Sequence, residues 1–181
     1  MRIVYHTDEM DMLPKEFYLF GFGANDVDNL AKRFFGDIDT LPTPSDIKDI
    51  DDYSFPGLVN GWKRIFFGHS DRWLGSVGSM KKSEGDHVYG VLTKIRREGR
   101  IFSVGPRKIN LKGLFDVEGV DGGMYRFEPI ATLGGLYVYA FIGNQDAFPP
   151  KKPPSKKYLN AIRKTIAYSG IRTRDIKIEY S

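Results

Sequence analysis

Residues 16–26 read EFYLFGFGAND. The run 16–23 is aromatic-rich and closes on a glycine-containing turn, which is the pattern of a buried strand. Asn25 or Asp26 then supplies a helix N-cap, and Val27, Leu30, Ala31 and Phe34 follow at the i, i+3, i+4, i+7 spacing of one helix face, so a helix is predicted to about Phe35. The chain thus opens strand, glycine turn, helix. Such a turn (Phe22, Gly23, Ala24, Asn25, Asp26) offers backbone N–H groups and the positive end of a helix dipole to an anion. A dinucleotide fingerprint would need a third glycine at position 26, which is Asp, and no βαβ alternation follows. A carboxylate or other small anion suits the turn, and a tight bend that merely needs glycine accounts for it equally well.

Downstream of that opening, strands dominate. Residues 36–56 are acidic, carry Pro42, Pro44 and Pro56, and read as loop with a short strand at 53–55. LVNGWKRIFFG (58–68) reads as a strand with a bulge at Gly61. Residues 73–80 and 87–95 read as two further strands separated by the turn-rich KKSEGD of 81–86. The basic, Gly/Pro-broken stretch 96–108 reads as an excursion, and 109–115 as a short helix. Residues 124–133 and 136–144 form a hairpin across Gly134–Gly135. PPKKPP (149–154) is a stiff linker, after which Ser155 caps a helix running to Ser169 and ended by Gly170. Many strands with few helices predict a mixed α+β, barrel-like sheet. The expected organisation is one domain over residues 1–181, with 1–15 as an N-terminal extension and 96–108 as a basic insertion.

The chain has 181 residues and no cysteine, which excludes disulfides, thiolate zinc sites, iron–sulfur clusters and a cysteine nucleophile. Its three histidines, His6, His69 and His87, are far apart in sequence, which disfavours a histidine metal site. No cofactor and no metal is expected. No 18-residue apolar run is present and the N-terminal residues lack a signal-peptide core, so no membrane partner and a cytoplasmic location are expected. The net charge of +4 is unevenly spread. Residues 37–52 hold six Asp and one Lys, and residues 151–181 hold nine Lys/Arg against two acids. Solvated faces account for both; a docking surface for an anion or a nucleic acid is the sharper reading, with nucleic acid disfavoured as a partner.

Catalytic motifs built on a serine elbow, a phosphate loop or a zinc-binding helix are absent. The remaining candidate is Asp116-Val117-Glu118-Gly119-Val120, where a carboxylate beside flexible glycines precedes an apolar hairpin. A carboxylate at the mouth of an apolar barrel has its pKa raised by desolvation, as a general base working near neutral pH requires. Composition and periodicity do not choose between Asp116 and Glu118.

Four segments, in order, resemble the γ-glutamylcyclotransferase family. YLFGFGAND (18–26) is similar to its opening strand and YGSN-type loop, HVYGVLTKI (87–95) to its VxGVxxxI strand, NLKGLFDVEGVDGGMY (110–125) to its L…EGVxxGxY segment, and PPSKKYLNAIRKTIAYSGI (153–171) to its late helix. The third is the most specific, and together they span most of 17–171. The resemblance implies a small mixed β-barrel with flanking helices and the cleavage of a γ-glutamyl amide with release of 5-oxoproline. It implies Glu118 as acid/base, the 22–26 loop as the substrate-binding backbone, and Tyr125 and Tyr158 as substrate contacts. The implied partner is a small-molecule γ-glutamyl substrate; a homodimer is allowed for. Phe22 stands where the family usually has Tyr, Ala24 where it has Ser, and Asp26 where an apolar residue is common. The basic stretch enters just before the catalytic segment, so Arg96, Arg97, Arg100, Arg107 and Lys108 are expected near the mouth. A barrel of this kind that captures an anionic small molecule or a polyanion without turnover is the alternative.

Overall fold

A computed structural model describes residues 2–36, 40–168 and 170. Asp37 and Asp39 of the acidic stretch, the expected helix end at Ser169 and the basic residues beyond Gly170 lie outside the described residues. The architecture is a curled, mixed seven-stranded sheet with few helices, of the α+β class expected.

A 3-10 turn at Thr7–Met12 precedes β1 (Glu16–Gly21), α1 (Val27–Phe35) and α2 (Pro44–Asp51). A long antiparallel pair follows, β2 (Ser54–Ser70) with β3 (Gly75–Glu98), and the small strands β4 (Ile101–Val104) and β5 (Arg107–Ile109). The chain ends through α3 (Leu111–Val117), the hairpin β6 (Tyr125–Leu133) and β7 (Leu136–Gly143), and α4 (Lys156–Ala167). The sheet order is β5-β4-β3-β1-β7-β6, with β2 paired to β3 alone. All pairings are antiparallel except β1 with β7, where Tyr18 faces Val138 and Leu19 faces Tyr139.

Several elements sit where the residue pattern puts them. Asp26 is the N-cap of α1, its carboxylate accepting from Asn29 N–H at 2.9 Å. The apolar face of α1 (Val27, Leu30, Ala31, Phe34) is buried. Ser155 Oγ accepts from Tyr158 N–H to start α4, which buries Tyr158, Leu159, Ile162 and Ile166. The register breaks after Asn60, where the bulge at Gly61 was expected.

Other elements differ. The acidic loop contains α2. Thr43 caps it, exchanging hydrogen bonds with Asp46 three residues on, and Pro44 occupies the first helical position, where its missing N–H costs nothing. Ile50 from this helix is fully buried. KKSEGD does not reverse the chain. Asn60 pairs with His87 and Trp62 with Lys82, so Ser83–Asp86 bulge out of one continuous strand opposite Gly61. The basic stretch 96–108 is the end of β3 plus β4 and most of β5, an antiparallel extension of the sheet. Residues before β1 enter the core, with Val4, Met10 and Leu13 buried and Val4 bridged to Phe127.

The basic stretch also lies away from where it was expected. Arg107 donates to Asp46 at 2.7 Å and Asp49 at 3.0 Å on α2 and stacks over the Phe35 ring. Arg96 faces Glu16 and Arg100 faces Asp11. The acidic and basic stretches therefore neutralise one another in part, and none of Arg96, Arg97, Arg100, Arg107 or Lys108 lines the cavity described next.

Candidate active site

One end of the curled sheet opens on a cavity of about 140 Å³. Its wall is drawn from the turn after β1, the β2–β3 connection, the end of α3 and the start of β6, and α4. The core beneath is aromatic: Phe115, Phe127, Phe141 and Tyr139 pack ring against ring at centroid separations of 4.8–5.2 Å.

The turn after β1 is tightly wound. A Cβ on Gly21 would stand 2.1 Å from the Asn25 carbonyl oxygen, so only glycine lets the chain curl back over itself there. Phe22, Gly23, Ala24 and Asn25 line the cavity. Asp26 does not: it caps α1, and its buried carboxylate lies 3.5 Å from Lys164 Nζ of α4. The extra negative charge beside the turn is thus directed into a cap and a cation, although desolvation still raises its pKa.

Glu118 ends α3. Its N–H bonds Leu114 O, and Gly119 follows with φ +69°, the left-handed conformation that stops a helix. That stop turns the Glu118 side chain into the cavity, while Asp116 is exposed and paired with Lys112 at 3.0 Å. The structure therefore separates two carboxylates that the residue pattern left equivalent. Glu118 is the one carboxylate among the described lining residues. Desolvation raises its pKa from 4.5 to about 6, opposed by a hydrogen bond from Asn25 Nδ2 (3.2 Å) and by the charge of Arg72. A group poised there exchanges protons readily near neutral pH.

Tyr125 and Tyr158 complete the wall. Tyr125 donates to Gly78 O at 2.7 Å, and Tyr158 accepts from Gly78 N–H at 2.7 Å. The two phenols thus clamp both backbone groups of one residue of β3. A Cβ on Gly78 would come within 2.9 Å of the Tyr158 oxygen, so glycine is needed for that approach. The Tyr158 hydroxyl hydrogen finds no acceptor among the described residues. Burial raises both phenol pKa values, Tyr158 to about 12, so both stay neutral donors.

No sequence pattern marks the cation at the mouth. Arg72 and Trp73, from the β2–β3 connection, line the cavity. Trp73 packs against the core and leans on Tyr158 at 5.2 Å, with Arg72 and Lys157 over its ring at 5.2 and 5.4 Å. Arg72 sits in an aspartate–arginine–tryptophan turn between two strands, with no spacing that marks it; only the partner register brings it opposite Glu118. Among the described residues no group of three or more His, Cys, Asp or Glu could hold a metal ion, and no helix is long and apolar enough to cross a membrane.

No protein-family model and no curated protein sequence matches the chain. Solved structures do. A structure described as a gamma-glutamyl cyclotransferase superposes with a TM-score of 0.59 at 21% identity, over 91% of this chain and 89% of that one. An uncharacterized Homo sapiens protein matches with a TM-score of 0.53 at 19% identity, over 93% and 95% of the two chains. YkqA from Bacillus subtilis matches with a TM-score of 0.56 at 17% identity, over 89% of this chain and 52% of that one. The fold is therefore the one that these proteins share.

Proposed function

From a fold held in common with a gamma-glutamyl cyclotransferase, and from a cavity with one carboxylate in it, we propose that the protein cleaves a γ-glutamyl amide by intramolecular cyclisation. The substrate's α-amino nitrogen attacks its own γ-carbonyl carbon, a C–N bond closes the five-membered lactam, and the original amide C–N bond breaks. 5-Oxoproline and an amine leave. Nucleophile and electrophile are already tethered, so the chemistry asks the protein for placement and proton transfer rather than for a protein nucleophile.

Ionised Glu118 takes a proton from the α-ammonium, which frees the attacking lone pair. That proton passes to solvent; Glu118 then takes the second proton, which the attacking nitrogen sheds as the ring closes, and gives it to the departing nitrogen as the amide bond breaks. Loop N–H groups at 23–25 and the Tyr158 hydroxyl are the donors at hand for the substrate's carboxylate and for the oxygen that gains charge in the tetrahedral intermediate. Arg72 at the mouth favours a leaving amine that carries a negative group.

The observation that carries this reading is the placement of Glu118: a partly buried carboxylate with a pKa of about 6, in the same cavity as the 22–25 turn. The test is to incubate the protein with a panel of γ-glutamyl amino acids, peptides and simple amines and to measure 5-oxoproline. Release by the wild type and its loss in Glu118→Gln are expected. Full turnover in Glu118→Gln would remove Glu118 from the mechanism. Saturable binding of 5-oxoproline with no release from any panel member would favour a barrel that captures anionic small molecules without turnover.

A further inference from the structure

Three side chains from three different elements hold three consecutive carbonyl groups of the turn after β1. Arg64 Nη1 of β2 donates to Phe22 O. Thr165 Oγ1 of α4 donates to Gly23 O at 2.6 Å, closer than its other acceptor, Ala161 O at 3.2 Å. Asn29 Nδ2 of α1 donates to Ala24 O. Within a planar trans peptide the N–H points opposite to the C=O. Each bond therefore fixes the direction of the N–H that follows: Gly23, Ala24 and Asn25 in turn. None of those three N–H groups has an acceptor among the described residues, and all three residues line the cavity that holds Glu118.

Arg64 is the unusual member. Desolvation lowers its pKa to about 10, yet no carboxylate lies within ion-pair distance of it among the described residues, and a backbone carbonyl and the Phe22 ring, 5.8 Å from its guanidinium carbon, are its close contacts. A desolvated cation without a counter-ion costs the fold energy unless an anion arrives nearby. It does not line the cavity itself. Its charge sits behind the Phe22–Gly23 peptide, where it pulls the carbonyl away from the cavity and adds to the positive character of the opposite face.

We propose that Arg64, Thr165 and Asn29 are positioning residues that turn the 22–25 peptides so that their N–H groups receive the carboxylate of the substrate. This deepens the cyclotransferase reading and rests on it for the identity of the ligand. The tethers hold the carbonyl oxygens back, so the anion meets donors instead of like partial charges. Asn29 also joins the turn to the first turn of α1, so the orientation is set before any ligand binds. The three tethers come from a strand and two helices that otherwise share little, and each can be cut separately.

The test uses two ligands with the full chain: 5-oxoproline, and 2-pyrrolidinone, which is the same lactam ring without the carboxylate. Binding is followed by calorimetry or NMR titration. Arg64→Met and Thr165→Val should each weaken 5-oxoproline by about tenfold or more, the worth of a hydrogen bond to a charged group, and leave 2-pyrrolidinone binding as it is in the wild type. Arg64→Lys, which keeps charge and one donor, should recover part of the loss. Wild-type affinity for 5-oxoproline in both Arg64→Met and Thr165→Val would overturn the proposal, as would an equal loss of both ligands, which marks a general structural defect. The parent reading fails differently: no 5-oxoproline release by the wild type, with the carboxylate-dependent binding difference intact, sinks the reaction and leaves the tethers standing.

Discussion

Replacing Glu118 by Gln should make the protein more stable at neutral pH while abolishing the proposed release of 5-oxoproline. The folded state holds Glu118 with a pKa of about 6 against 4.5 for the free side chain. Because the folded-state value is the higher one, the folded protein binds the proton more tightly than the unfolded chain, and stability falls as the pH rises through the window between 4.5 and about 6. Holding the fully ionised carboxylate in the fold therefore costs about 2 kcal/mol. Glutamine keeps the shape and can still accept the Asn25 hydrogen bond, but it carries no charge to desolvate. Urea unfolding of wild type and Glu118→Gln at pH 7.5 should therefore differ by about 2 kcal/mol in favour of the variant, equivalent to about 4–8 °C in Tm for a chain of this size. At pH 4, where Glu118 is protonated in both states, the two proteins should unfold alike. Other carboxylates titrate over the same range in both proteins and cancel in the difference. A variant that is less stable at pH 7.5, or a gap that does not close on acidification, would refute the claim that burial strains this carboxylate.

The low-pH limb of kcat/KM should have its midpoint near 6, since the ionised carboxylate is the form that accepts a proton; Arg72→Gln should move that midpoint upward, because the Arg72 charge favours the ionised form, and an unmoved or lowered midpoint would separate Arg72 from Glu118. Ile50→Ala should cost about 2–5 kcal/mol in chemical denaturation, as expected for a fully buried isoleucine on α2, whereas a solvated loop at that position would show almost no change. Gly21→Ala should fold but lose activity, because its new Cβ would displace the Asn25 carbonyl, 2.1 Å away, and with it the turn; near-normal turnover would mean that the turn geometry is not used. Tyr125→Phe should cost about 1–3 kcal/mol, since it leaves Gly78 O short of its hydrogen bond inside the wall, and unchanged stability would argue that another donor replaces it.

Local chemistry made much of this molecule legible. β1, α1, the β6–β7 hairpin and α4 each announce themselves through a periodic apolar face, a capping side chain or a two-glycine turn, and they fall within a few residues of expectation. Two failures have a common origin in residues that mean different things in different partners' company. Pro44 reads as a breaker, yet with Thr43 before it and Asp46 after it the same proline starts a helix. Ser, Gly and Asp at 83–86 read as a reversal, yet a bulge uses the same residue types, and only the register against β2 tells them apart. At the site, the carboxylate segment and the glycine turn were visible. The preference for Glu118 over Asp116 depends on where α3 stops. Arg64 and Arg72 depend on which strand crosses behind or beside the turn, and no short-range pattern encodes that.

The parallel pairing of β1 with β7 bears on when the protein becomes competent. Tyr18 must find Val138, about 120 residues later in the chain, and closing such a loop from an open coil costs about 2 kcal/mol more than closing one of ten residues. The β2–β3 ribbon, joined by the short stretch between Ser70 and Gly75, faces no such delay. By closure entropy alone the ribbon forms at the lower cost and the β1–β7 pair at the higher one. Phe22 follows β1 and Tyr158 lies on α4, so the cavity wall is complete only once both have docked. A chain interrupted before α4 would carry the carboxylate and the glycine turn and still have an unfinished wall.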